Sequence, residues 1–214
     1  HHGAPFRLAT EAGVIDPKRT IQIGIRGGQN FTDGLDYSRD KGMRVITIEE
    51  FEDLGWQAVA REARDLVADR PVYMTFDIDG LDPAYASGTG TPEPGGITMR
   101  EAQRLLREFR GLNFIGGDLV EVSPPFDPSG TTALNGATIA FEILSQKSFH
   151  VDYSSKINLI KLISECSGHT GIAGGQYSDL NFEGKKVPLS QVVEMQIKKT
   201  GKLFSFCCMA PLII

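Results

Sequence analysis

No apolar run in the 214-residue sequence approaches the roughly 20 residues that a helix needs to cross a bilayer. No basic-then-apolar segment opens it, so no secretory leader is read there. Cysteines are few and odd in number: there are three, and Cys207 and Cys208 are sequence neighbours that rarely bridge each other. That fits reduced thiols in a cytoplasm better than a disulfide framework. Positive charge is not in excess either. With a net charge of −5, neither nucleic acid nor an anionic membrane is expected as a partner. Histidine is scarce, at positions 1, 2, 150 and 169. The chain begins His1-His2-Gly3 without an initiator Met, which leads us to expect a fragment. What remains is ordinary for a soluble globular protein: 41% hydrophobic and 23% charged residues, on a length that holds one domain or two smaller ones.

Up to about Leu144 the pattern alternates between short β-rich runs and helical stretches. Thr20–Ile25 alternates like a strand and ends near the turn-forming pair Gly27-Gly28. Arg44–Ile48 reads as a second strand, followed by one amphipathic helix from about Glu49 to Ala68. Pro71–Ile78 is a third strand. A Gly- and Pro-rich loop from Gly80 to Gly96 then leads to a helix whose Thr98 and Glu101 have capping-box spacing. Leu112–Val122 reads as a fourth strand and Thr131–Leu144 as a final helix. The expected class is α/β, a parallel sheet with helices on both faces. In such sheets function gathers where the strands end, and both Asp77–Asp82 and Glu121 fall there. After Ser145 the character changes. Residues 146–155 are polar and turn-like, and the rest reads as helices only. The predicted domains are therefore 1–145 and 146–214.

In a strand, residues two apart face one side, so Asp77 and Asp79 are expected to project together. Two adjacent carboxylates repel unless something positive lies between them, and hard oxygen ligands suit Mn or Mg. The longer string, Asp-Ile-Asp-Gly-Leu-Asp-Pro-Ala-Tyr-Ala-Ser-Gly-Thr-Gly-Thr-Pro-Glu-Pro-Gly-Gly at 77–96, closely resembles the signature of the ureohydrolases, the family of arginase, agmatinase and guanidinobutyrase. His2-Gly3-Ala4-Pro5-Phe6 is similar to a family His-Gly-Thr-Pro-Phe segment, with Ala4 in place of Thr. Gly117–Asp127 resembles its later acidic segment. The wording is nearer to agmatinase-like members than to arginases.

The resemblance implies a three-layer α/β/α fold, here partial, and hydrolysis of a small guanidino substrate (agmatine or similar) to urea and an amine by water activated between two Mn ions. It implies Asp77 and Asp79 as metal ligands, Glu121 as the carboxylate that receives the guanidinium, and His2 as the proton relay to the leaving amine. Asp82 and Asp118 read as turn and supporting groups, and Thr91 and Glu93 as loop residues without an assigned role. Full-length members often form homo-oligomers. The family draws its four other ligands from a Gly-Gly-Asp-His and an Asp-Ala-His-x-Asp segment. Neither is present, so the metal site is expected to be incomplete.

The last third carries a Gly-rich stretch at 168–175, which lacks the Gly-Lys-Ser/Thr ending of a phosphate loop. It reads as a small-residue stretch permitting close helix packing, then a basic amphipathic helix. Gly174-Gly175-Gln176 and Lys199-Thr200-Gly201 resemble segments of trans-isoprenyl diphosphate synthases, which implies an allylic-substrate contact for Lys199 and Thr200. That family's aspartate-rich Mg motifs are absent. The alternatives to a guanidino hydrolase are thus an isoprenoid synthase fragment or a chimeric, non-catalytic product joined near residue 145.

Overall fold

The computed structural model describes residues 4–28, 34–144, 152–210 and 213. They fall into two compact units, His1–His150 and Val151–Ile214. The junction expected at 145/146 lies outside the described residues. In the first unit the order is α1 (Ala4–Glu11), β1 (Ile21–Ile25), α2 (Asp36–Asp40), β2 (Arg44–Thr47), α3 (Ile48–Leu54), α4 (Trp56–Val67), β3 (Val72–Asp77), α5 (Met99–Glu108), β4 (Phe114–Val120) and α6 (Thr131–Leu144).

The four strands are those read from the sequence, shortened at their ends. They pair in parallel, as helical crossovers require, but as two separate pairs: β1 with β2, and β3 with β4. The single sheet expected from the alternating pattern is therefore not formed by hydrogen bonds among the described residues. The β1 register slips between Ile23 and Ile25, at Gly24, whose φ is +80°. Ile97 packs there: a Cβ on Gly24 would lie 2.8 Å from Ile97 Cδ1. Side chains thus join the two pairs. One core serves both, built on Ile46 from β2, Phe51 and Val59 from α3 and α4, Ile78 after β3, Leu106 from α5 and Ile139 from α6. Each such side chain contributes about 1.5–3 kcal/mol by leaving water.

A single helix over 49–68 is also not what forms. Gly55, with φ +75°, caps α3 through its N–H to the Phe51 carbonyl and directly precedes α4. Glycine tolerates that backbone and so breaks the run. The capping box of α5 is present, with Thr98 and Glu101 each accepting from the other's backbone N–H at 3.2 and 2.9 Å. Arg107 of α5 pairs with Glu142 of α6, tying together the helices that flank β4.

The described elements of the second unit are all helical: α7 (Tyr153–Ser167), α8 (Ile172–Phe182), α9 (Leu189–Gln196), a π-helical turn at Ile197–Gly201 and α10 (Lys202–Met209). Asp152 caps α7 by accepting from the N–H groups of Ser154 and Ser155. The small residues of α8 do permit close packing. A Cβ on Gly175 would lie 2.3 Å from the Lys199 nitrogen, so only glycine lets α8 reach the π turn. Lys199 Nζ then donates to Asp179 at 2.6 Å.

Candidate functional site

The β3–β4 register places Asp77 opposite Val120, so the two strands end side by side and Glu121 follows immediately. Asp77 is the last residue of β3. Asp79 is not on the strand: it sits in a 3₁₀ turn, Ile78–Gly80. The strand-periodicity reason for pairing these two acids is therefore corrected. They come together because the Asp77 carboxylate accepts the Asp79 N–H at 3.1 Å, a local side-chain-to-backbone turn. Ile78, between them, is fully buried and anchors the turn in the core.

Asp79 is half-buried, and its carboxylate accepts the Thr91 hydroxyl at 2.8 Å. Glu121 is half-buried too. Its φ of 65° lies in the left-handed region that non-glycine residues seldom adopt, a backbone strain typical of functional positions. The Glu121 carboxylate faces the same loop: a Cβ on Gly90 would meet its Oε2 at 3.7 Å. Asp77 is exposed as a residue, but partial burial of its carboxyl pushes the pKa up to about 7, and the negative charges of Asp79 and Glu121 add to the rise. A carboxyl whose pKa is raised by burial and by two neighbouring acids marks a concentration of negative charge at this strand end.

The surrounding carboxylates are already satisfied. Asp82 accepts N–H groups from Ala84, Gly95 and Gly96 at 2.9, 2.8 and 3.2 Å, and these hold its pKa below the usual range. Asp118 accepts the hydroxyls of Tyr73 and Thr75, both at 2.6 Å. The far limb of the loop is fixed at Gly88, whose N–H donates to the buried Thr132 hydroxyl at 2.8 Å. His2 lies outside the described residues. Sequence reasoning left Thr91 without a role and did not single out Arg26, whose guanidinium reaches the carbonyls of Asp79–Leu81. No signal in the sequence marks it, because those carbonyls lie more than 50 residues further along the chain.

Two oxygen-only side chains, Asp77 and Asp79, suit a hard divalent cation in kind. In number they form only one side of a site. Among the described residues, no group of three or more His, Cys, Asp or Glu is arranged to hold a metal ion.

The profile of the Arginase family matches residues 1–145. The chain belongs to the arginase family. Guanidinopropionase of Pseudomonas aeruginosa is 56% identical over 143 residues, which make up 67% of this chain and 45% of that protein. Human mitochondrial guanidino acid hydrolase is 48% identical over 144 residues, 67% of this chain and 41% of its own length. Among solved structures, proclavaminate amidinohydrolase of Streptomyces clavuligerus superposes with a TM-score of 0.66 at 47% identity, covering 69% of this chain and 49% of that one. The chain thus spans less than half the length of these relatives, and the similarity concerns its first unit. No helix among the described residues is long and apolar enough to cross a membrane.

Proposed function

We propose that residues 1–145 carry the late-strand part of a guanidino-compound hydrolase site. In this reading Asp77 and Asp79 would hold Mn, and Glu121 would receive the substrate's guanidinium. The observation that carries it is the meeting of three carboxylates at the adjacent ends of β3 and β4, where burial and the charges of Asp79 and Glu121 push Asp77 up to about 7. When bound, a pair of Mn ions supplies Lewis acidity that makes water a nucleophile near neutral pH. The chain's own residues do the rest. Thr91 orients Asp79. A carboxylate such as Glu121 accepts two parallel N–H groups from a flat, forked guanidinium. Asp77 must lose its proton when a cation arrives, so cation binding weakens as the pH falls below about 7. Relatives named for hydrolysis of guanidinopropionate, of guanidino acids and of agmatine support urea and an amine, or an amino acid, as products.

The resemblance implies four further ligands, and the sequence carries neither segment expected to supply them, so in this reading the site is incomplete. His2 as the proton relay, a cytoplasmic location and homo-oligomerisation of a longer protein belong to the same proposal. The test is Mn²⁺ binding together with urea release from 3-guanidinopropionate, 4-guanidinobutyrate and agmatine, compared with Asp77→Asn. Binding that is lost in Asp77→Asn supports the assignment. Binding or urea release that survives the substitution overturns it.

A second reading concerns residues 146–214, which we infer to be an isoprenyl-synthase-like segment joined to the first unit near residue 145. The contact of Gly175 with the Lys199 backbone favours it, because it joins the two stretches on which that likeness rests. That family's aspartate-rich Mg motifs are absent from the sequence, so prenyl transfer with Mg²⁺ is expected to be absent from this chain. In this reading the join arose by recombination or a sequence-assembly error, and one uninterrupted coding frame in long-read sequencing of the source locus would contradict it.

A further inference from the structure

Arg26 follows β1 directly, and among the described residues its guanidinium makes five hydrogen-bond contacts, all to backbone carbonyls. Nη2 donates to Asp79 at 2.7 Å, to Leu81 at 3.1 Å and to Glu93 at 2.7 Å. Nε donates to Glu93 at 3.1 Å and Nη1 to Gly80 at 3.4 Å. A planar fork of fixed donors suits a ring of carbonyls in a way that a point-like ammonium cannot. The seat is fitted to it: a Cβ on Gly96 would lie 2.7 Å from Arg26 Nη2. The positive charge also favours ionised Asp82, which grips the N–H groups of Gly95 and Gly96 on the other side of the loop's neck. Carbonyls held by Arg26 and amides held by Asp82 thus close residues 80–96 into a lariat. Thr91, the hydrogen-bond donor to Asp79, lies within it.

We propose that Arg26 is a positioning residue for the acidic site, fixing the Asp79 turn and the Thr91 loop in one geometry. The part of this that concerns metal rests on the reading of Asp77 and Asp79 as cation ligands. Hydrogen exchange on the full chain, without metal, compares Arg26→Ala with Val59→Ala, a substitution in the buried core on α4. Arg26→Ala is expected to speed exchange over residues 79–96 by about tenfold or more, as the loss of several hydrogen bonds implies, with the rest of the unit unchanged. Val59→Ala is expected to lower thermal stability without that local pattern. In a Mn²⁺ titration Arg26→Ala should weaken binding by about tenfold or more, the usual effect of removing a group that orients a ligand. Arg26→Lys should recover only part of it, and Val59→Ala should leave the affinity of the folded chain unchanged. Faster exchange spread evenly over the unit overturns the proposal, as does equal weakening of Mn²⁺ binding by Arg26→Ala and Val59→Ala. If the unsubstituted chain binds no Mn²⁺, the metal reading fails instead, and the exchange pattern alone decides the role of Arg26.

Discussion

Asp77 and Asp82 stand on either side of one short turn, and their surroundings act on them in opposite directions. Asp82 receives three backbone N–H groups and the nearby charge of Arg26, which favour its ionised form. Asp77 receives one N–H, and burial together with two facing carboxylates raises its pKa to about 7. The two side chains are chemically identical. One is a closed fastening of the loop, and the other is an open demand for positive charge. Compensated acids build the scaffold, and uncompensated acids mark where a cation or a guanidinium belongs.

The largest effect should come from opening the fastening. Asp82→Ala strands the N–H groups of Ala84, Gly95 and Gly96, so thermal stability should fall markedly and exchange should quicken across the loop. Asp82→Asn keeps an acceptor and should fall less. If Asp82→Ala were silent, the contrast between the two acids would break. Next, Thr132→Val removes the acceptor for the buried Gly88 N–H and should cost about 1–3 kcal/mol in urea denaturation. Smaller again is Asp77→Asn without metal, where the sign is opposite. Because the folded-state pKa of Asp77 is raised, folding is penalised progressively as the pH rises from about 4 to about 7. The amide removes that penalty and should stabilise the chain at pH 8 by no more than about 1 kcal/mol, solvent screening being substantial at this open strand end. The gain should vanish below about pH 4, where both forms are neutral. Smallest is Thr91→Val, expected to cost about 0.5 kcal/mol while weakening any cation bound at Asp79.

Much of this was legible in the sequence. Alternation and β-branched runs located all four strands, and Thr98 with Glu101 announced the start of α5. The acids at 77, 79 and 121 stood out because strand ends are where such sheets do chemistry. What was hidden depended on tertiary geometry. Periodicity could not show that β3 stops at Asp77, since the turn that carries Asp79 is made by a side-chain hydrogen bond. Gly55 lay inside an unbroken amphipathic pattern, and only its positive φ revealed a break. Among the described residues the carbonyl acceptors of Arg26 lie at residues 79–81 and 93, a separation that no sequence window spans.

The most direct measurement is the titration of the Asp77 carboxyl carbon by NMR, without cation and then with saturating Mg²⁺, a diamagnetic hard cation. A midpoint near 7 without cation, falling to about 4 or below with Mg²⁺, is the expected result. A midpoint near 4 that Mg²⁺ does not move would contradict the assignment of Asp77 and Asp79 as the open, cation-seeking half of the site.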